Sequence, residues 1–474
     1  MQDTTTSSPG RMAILLLIGV VIGFAIALIT PPEGLNQQSM RVLGILGGTI
    51  FYLITGVLPE MVTVILMGLL FVMLAAIPMG VAFGGFGTTV AWLFLVAMAL
   101  AFALGNSGLL RRISLWLASV MPANYFGQML ATFLSGLFVI GPTVPSLAGK
   151  MALFTPPIQG VTRSMGFADN SKASIGLVFA AFIAPYILAS VAFMTGGTPT
   201  LAIFGALPEP VRQGIPWVMW TVYALPMTVV IGVGMFLVLL KMYSPGRIVV
   251  NKDGIRADLA KLGPLSSKER TVAILVILLF ILFITSPLTK IDVAHSAVAI
   301  MLAMLILGVM SSKDLVAAVN WPIWIFVAFV IQIGPVMARV NIDKWLGTAL
   351  TPVFQPLAGN LYLFFLAFMV VALLLRMLSP SISAAGIILL VAISPVAVKI
   401  GINPFLLLLA YATVGNHWIM PHLNATGYLV QYTLLEGKYY THAEGRKLCY
   451  IFLAISVLAV MISIPYWQMV GLIK

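Results

Sequence analysis

The sequence predicts an all-α polytopic membrane protein: about 11 transmembrane helices plus two re-entrant helical hairpins, built as an inverted repeat. Three observations predict it. First, 61% of the residues are hydrophobic and 8% are charged, too little polar surface to cover a soluble globule of 474 residues. Second, apolar runs such as Met12 to Ile29, Trp217 to Leu240 and Ile451 to Ile464 alternate with short polar or Pro/Gly breaks, and the longer runs approach the roughly 20 residues that cross a bilayer. Third, a polar cluster occurs twice. Gly141-Pro142-Thr143-Val144-Pro145-Ser146 leads to Pro157 and Ser379-Pro380-Ser381-Ile382-Ser383 leads to Pro395, at a constant offset of 238 residues. Such a cluster exposes backbone groups that hydrocarbon cannot satisfy, so it belongs where protein or a polar cavity surrounds it. Matching breaks in two halves point to the binding site of a transporter.

Taken in order, residues 1–38 form a polar segment and a lead helix that ends at Thr30-Pro31-Pro32, where prolines stop it. Ala25-Ile26-Ala27 imitates a signal-peptide cleavage site, but the spans that follow favour a retained helix. Residues 39–242 are the first repeat. Its spans lie near Met40 to Gly56, Val62 to Ile77 and Thr88 to Leu104, before an amphipathic piece with Arg111 and Arg112 that suits a membrane surface. A hairpin over Tyr125 to Gly160, with its tip at Gly141 to Thr143, comes next. A span from Lys172 to Leu207 is broken at Thr195-Gly196-Gly197-Thr198-Pro199-Thr200, and Trp217 to Leu240 closes the repeat. Residues 243–268 are a basic linker. Residues 269–474 repeat the order, with a second hairpin over Asn360 to Ser394, a span from Pro404 broken across Gly415 to Asn424, and a final span ending near Trp467.

The net charge of +12 sits mostly in loops, without the aromatic interleaving of a nucleic-acid surface. The positive-inside rule places the linker in the cytoplasm, which puts the amino terminus inside and the carboxyl terminus outside a plasma (inner) membrane. Five spans per half is an odd number, so the halves are inverted. Cys449 is the single cysteine, which excludes an intrachain disulfide and a CxxC metal or redox motif. The Gly80 to Gly87 stretch precedes no Lys-Ser/Thr and is read as a loop rather than a nucleotide cradle. No nucleophile, base and orienter group together, so the sequence predicts no enzyme and no cofactor. A membrane-embedded enzyme and a channel stand as alternatives.

The four breaks offer oxygens for a hard cation, and N–H groups and partial positive charge for an anion. Substrate candidates are Gly141, Pro142, Thr143, Ser379, Pro380, Ser381, Thr198, Pro199, Thr200, Arg376 and Asn424. Candidates for a coupling ion are Thr143, Ser146, Gly197, Ser381, Ser383 and Asn416, and no metal beyond sodium is expected. Lys150 and Arg376 lie inside hairpin arms, where charge is costly unless paired or wet and therefore points to function; snorkelling is the alternative. Arg376 offers a fork matched to a carboxylate. His417 and His422 fall in the second broken span, as anion donors, pH sensors or polar packing. No Asp or Glu lies inside the predicted spans, so a carboxylate proton relay is not expected.

Pro31-Pro32-Glu33-Gly34-Leu35, Arg41-Val42-Leu43-Gly44, Phe83-Gly84-Gly85-Phe86-Gly87, Trp92-Leu93-Phe94 and Gly108-Leu109-Leu110-Arg111-Arg112-Ile113 resemble the divalent anion/sodium symporter family, in register over essentially the whole chain. The resemblance implies a homodimer working as an elevator-type transporter, with di- and tricarboxylates or sulfate as substrate and sodium as coupling ion. Family hairpin tips read Ser-Asn-Thr; here they read Gly141-Pro142-Thr143 and Ser379-Pro380-Ser381. Each missing asparagine removes a carbonyl ligand and two amide donors. Sodium symport is the first expectation and sodium-independent anion exchange the second, with Arg376 and Lys150 taking the neutralising role of the missing cation.

Overall fold

Inside hydrocarbon a backbone must close its hydrogen bonds within its own helix, and the described chain is helix and connection apart from one isolated pairing of Ile402 with Ile473. The structure, a computed structural model, describes residues 9–245, 252–379 and 381–474, so Pro380 and linker residues 246–251 lie outside it. Among the described residues ten helices are long and apolar enough to cross a membrane, and Glu60–Met73, Val293–Ile306 and Pro404–Val414 are shorter apolar helices. The protein is an all-α polytopic membrane protein.

The lead helix Pro9–Ala27 packs on Gln37–Thr55 along a glycine seam. A Cβ on Gly44 would lie 2.3 Å from the Gly23 carbonyl oxygen, so only glycine allows this approach. Asn36 starts the second helix with a capping box to Ser39, and Gly56 ends it in the left-handed region at φ 63°. In the first half, Glu60–Met73 and Thr89–Ser107 follow, then the amphipathic helix Leu109–Val120. In the second, Ser267–Thr289, Val293–Ile306 and Trp321–Val330 with Ile333–Arg339 precede the amphipathic Ile342–Ala358. Each half then runs through a hairpin and a broken span to a long closing helix, Trp217–Tyr243 or His442–Met469, and these two pack on each other.

The glycine-rich stretch is the expected connection, a short helix Met79–Ala82 and a 3₁₀ turn Gly84–Gly87. It locks the two halves together. Phe83 and Phe86 meet Phe329 edge-on, Phe86 does the same with Trp324, and Trp324 Nε1 donates to the Ala91 carbonyl at 2.9 Å. A second lock joins the amphipathic helix to the linker. Arg112 donates to both carboxylate oxygens of Glu269 and to the carbonyls of Leu262, Gly263 and Pro264. Lys252 Nζ donates to the carbonyls of Ser119 and Met121, at the end of the same helix.

Several boundaries differ from the sequence reading. The first arm of hairpin one continues through Gly141–Thr143, and the turn lies at Val144 to Ser146. The reason is a π-helical stretch, Ser135–Ile140, in which Gly141 N–H bonds the Gly136 carbonyl. The widened turn makes room for the ring of Pro142, which lacks an N–H. Nor do the closing prolines end the arms. Pro156 and Pro157 sit inside Leu147–Ser164, and Pro395 inside Ile382–Lys399. The first broken span is interrupted earlier than expected, at Phe193 to Gly197, and Thr198-Pro199-Thr200 open its second half, with proline at the helix start where no N–H is required.

Gly85 generates the test of this packing. A Cβ there would lie 1.8 Å from the Ala328 carbonyl oxygen, a backbone atom that cannot swing aside. Gly85→Ala is expected to destabilise the protein by about 1–3 kcal/mol, read as a lower melting temperature of detergent-purified protein. An unchanged melting temperature would mean that the loop is not clamped to this helix.

Candidate functional site

The first cluster joins hairpin one to the first broken span. Hairpin one folds back at Val144 to Ser146 because Ser146 caps the second arm, accepting from Gly149 N–H at 3.1 Å. The turn's carbonyls point at the break. Thr195 Oγ1 donates to the Pro142 carbonyl at 2.9 Å, and Thr198 N–H donates to that of Pro145 at 3.0 Å. Lys150, one turn into the second arm, donates from Nζ to the Gly196 carbonyl, which also accepts from Ser190 Oγ at 3.2 Å. Gly196 and Gly197 are required there: a Cβ on the first would lie 1.8 Å from the Ala189 carbonyl oxygen, and one on the second 2.6 Å from Ser190 Oγ. Thr143 lies beside the turn, with its hydroxyl proton directed to the Val139 carbonyl of its own arm.

The second cluster is built on one side chain. Arg376, near the end of the arm Leu361–Leu378, donates from Nε to the Gly415 carbonyl at 2.8 Å and from its terminal nitrogens to the carbonyls of Ser379 and Leu423. The tip of hairpin two is thereby tied to both ends of the second break. Ser381 caps Ile382–Lys399, accepting from Ala384 N–H at 3.1 Å, which is the role of Ser146 in hairpin one. Ser383 lies inside this helix rather than in the tip. Asn424 organises the break from within: Nδ2 donates to the Asn416 carbonyl at 2.7 Å, and Oδ1 accepts from Tyr428 N–H at 3.0 Å. Tyr411 Oη donates to the Ile382 carbonyl at 2.6 Å.

The structure thus gathers Gly141, Pro142, Thr143, Ser146, Gly197, Thr198, Pro199 and Thr200 in one cluster, and Ser379, Ser381, Arg376, Asn416 and Asn424 in another; Pro380 lies outside the described residues. Helix Thr198–Gly205 packs on Ile382–Lys399, and Tyr186 Oη meets Thr426 Oγ1 at 3.4 Å, which joins the two clusters. Lys150 and Arg376 are both 0% exposed, so neither snorkels. Their surroundings are carbonyl oxygens, and neither makes an ion pair with a described carboxylate. This is more than the sequence reading foresaw for Arg376, whose fork is turned on the protein's own backbone. His417 is buried in the break and His422 is exposed. Sequence reasoning missed Glu60. It opens the helix Glu60–Met73, and its carboxyl interacts with the Ser381 hydroxyl. Its place directly after Pro59, at a helix start, was the available signal.

Opposite the first cluster lies an apolar wall. A small cavity at Pro142, Thr143 and Thr195 is closed by Leu93, Val96, Leu100, Leu279, Phe280 and Phe283, from helices Thr89–Ser107 and Ser267–Thr289. Outside the membrane-spanning segments, the loop that follows hairpin one is held by Asp169. The Arg163 guanidinium and the Tyr439 hydroxyl hold this carboxyl below its usual range, so it is charged at neutral pH.

The chain matches the family model described as the sodium:sulfate symporter transmembrane region over residues 11–473. It is 24% identical over 353 residues to a membrane protein of Cupriavidus necator, covering 70% of this chain and 68% of that one. It is 25% identical over 341 residues to dicarboxylate transporter 1, chloroplastic, of Spinacia oleracea, covering 70% of this chain and 59% of the spinach protein. With the L-tartrate/succinate antiporter of Shigella dysenteriae the identity is 23% over 353 residues, covering 69% and 72%. In fold it is similar to the crystal structure of the YdaH transporter of Alcanivorax borkumensis, with a TM-score of 0.56 and 15% identity over 98% of both chains.

The clamp on the second break generates a test. Arg376→Lys keeps the charge but cannot span three carbonyls, and Arg376→Gln loses the charge as well. Each charge-assisted bond contributes roughly 1.5–3 kcal/mol, so melting temperature is expected to fall for the lysine variant and further for the glutamine variant. Equal melting of all three proteins would show that Arg376 does not hold the break.

Proposed function

The chain belongs to the sodium:sulfate symporter family, and from that premise we propose a secondary carrier of small organic dianions, di- or tricarboxylates, that exchanges one for another without sodium. As a member of a transporter family it is not an enzyme. One observation carries the reading: two buried cations, Lys150 and Arg376, each bonded to carbonyls at a helix break. In a broken-helix transporter such carbonyls are the ligands a sodium ion takes. Here an ammonium and a guanidinium take them, with charges tethered to the chain. A guanidinium that keeps its charge, beside an amine that a bound carboxylate would charge, suits a substrate of charge −2.

Exchange follows from what happens when the substrate leaves. A sodium symporter sheds its ions and returns empty and neutral. A guanidinium keeps its proton, so this carrier without substrate holds a buried charge that, among the described residues, is in no ion pair. Carrying such a charge through low dielectric costs several kcal/mol per ion. A second dianion removes that penalty, so the return step takes place loaded. A carboxylate bound beside Lys150 also favours its charged form. Sodium symport is the second reading, and the family's description favours it.

The same reading includes an elevator. The apolar wall facing the first tip offers a dianion nothing to bind, so a substrate there is held by the hairpin side alone. A one-sided site moves with its own domain, and a smooth apolar wall suits sliding. We infer also a homodimer in the inner (plasma) membrane, with the amino terminus cytoplasmic, from the family resemblance and the loop charges.

The test is uptake of labelled succinate into proteoliposomes, with choline or sodium outside and with or without dicarboxylate inside. Exchange predicts uptake in choline that rises at least about tenfold with internal dicarboxylate, the factor that a barrier difference of about 1.4 kcal/mol produces. Strict dependence on external sodium, with empty vesicles active, would establish symport instead.

A further inference from the structure

The linker between the two halves is built onto the base of hairpin one. Within its helix Asp253–Lys261 one residue, Ile255, is buried. It forms a small core with Leu115 and Ala118 of the amphipathic helix Leu109–Val120 and with Val161, in the last turn of the hairpin's second arm. One apolar side chain thus touches two separate elements. Lys252 bonds the carbonyls of Ser119 and Met121 at the end of the amphipathic helix, while Arg112, near its start, bonds those of Leu262, Gly263 and Pro264, so the linker helix lies antiparallel along it.

The two contacts differ in kind. Arg112 also donates to both carboxylate oxygens of Glu269, at 2.8 and 3.1 Å, and Glu269 lies in the first turn of Ser267–Thr289, the helix whose Leu279, Phe280 and Phe283 form part of the apolar wall. A bidentate pair fixes geometry as well as distance. The amphipathic helix and the linker are therefore anchored to the wall side. The linker meets the hairpin arm through apolar groups, Ile255 on Val161. An apolar contact parts and re-forms without leaving a polar atom unpaired, and it is weak where the shared area is small. When the hairpin side moves past the wall, this is the contact that gives.

We propose that helix Asp253–Lys261 is a strap: anchored on the wall side through Arg112 and Glu269, it grips the base of hairpin one through Ile255, and that grip must part each time the hairpin side moves. This rests on the reading of hairpin one as part of a moving body. The grip is one side chain wide, so it slows the movement without stopping it. None of its residues belongs to either break, so a change in the strap alters the rate of exchange and leaves substrate binding alone.

The experiment reads exchange of labelled succinate in proteoliposomes loaded with dicarboxylate, before and after a short, reducible bifunctional thiol reagent. Cys449 is the single native cysteine and is buried, so an introduced pair is the target. Val161→Cys with Ile255→Cys links the strap to the arm, and Leu115→Cys with Ile255→Cys links it to the amphipathic helix. The first link is expected to lower the exchange rate at least about tenfold, with recovery on reduction, and the second to leave it within about twofold. Without reagent, Ile255→Ala is expected to raise the rate about fourfold, the factor that one methylene of lost contact with the arm produces, at unchanged half-saturating succinate. A link between positions 161 and 255, verified by mass, that leaves exchange at its starting rate overturns the proposal; so does an Ile255→Ala protein that melts like the wild type and exchanges no faster. Arrest by the 115–255 link as well overturns the anchoring to the wall side. The moving hairpin is tested apart by Leu100→Cys with Thr195→Cys, which line the tip cavity from opposite sides. Exchange that survives that link fails the moving-body reading, and no exchange by the unmodified protein fails the carrier reading.

Discussion

A helix interrupted inside hydrocarbon frees carbonyls and N–H groups that lipid cannot bond, and this structure is arranged around answering them. At the first break the answer comes mainly from hairpin one: Thr195 and Thr198 reach the carbonyls of Pro142 and Pro145, and Lys150 reaches that of Gly196. At the second it comes from one guanidinium that takes three carbonyls at once. In the proposed reading, the two cations that hold the folded breaks are also the ones that would hold an anion. Their bonds to break carbonyls offset part of what charge costs at that depth.

Much of the architecture was legible because the breaks are written in proline and glycine, residues whose effect on a backbone is local. Two hairpins, two broken spans and two long closing helices follow in the order the sequence pattern gives, with shifted boundaries. The turn of hairpin one was misplaced because Pro142 announces a missing N–H without announcing how the chain absorbs it. A π-helical stretch does so, and that depends on packing against neighbouring helices. The two capping serines show the same limit. The offset of 238 residues aligns Thr143 with Ser381, but Ser146 and Ser381 do the same work, since the turn in hairpin one lies three residues later.

The site was legible as a list and not as an arrangement. A lysine and an arginine inside apolar arms stood out, yet nothing local shows that Arg376 turns on carbonyls 39 and 47 residues away, or Lys150 on one 46 residues away. Glu60 escaped notice because it lies at the edge of a span, and its meaning comes from Ser381 in the other half. Residue type records what a side chain can do. Which of its atoms remains free, as at Asn416 and His417, is decided by the fold.

The two halves answer one problem with unequal chemistry, and the inequality has consequences. Lys150 Nζ bonds the carbonyl of Gly196, while backbone and threonine bonds hold the first hairpin to its break; loss of that contact leaves most of the seam in place. Arg376 is itself the seam of the second cluster, joining the tip at Ser379 to the break at Gly415 and Leu423. A guanidinium holds this geometry because its donors are planar and spread, which an ammonium cannot imitate. The second cluster is therefore the rigid one and the first the more adaptable. The rigid cluster is also the one that ties down the segment carrying Asn416 and His417, and the adaptable one faces the apolar wall.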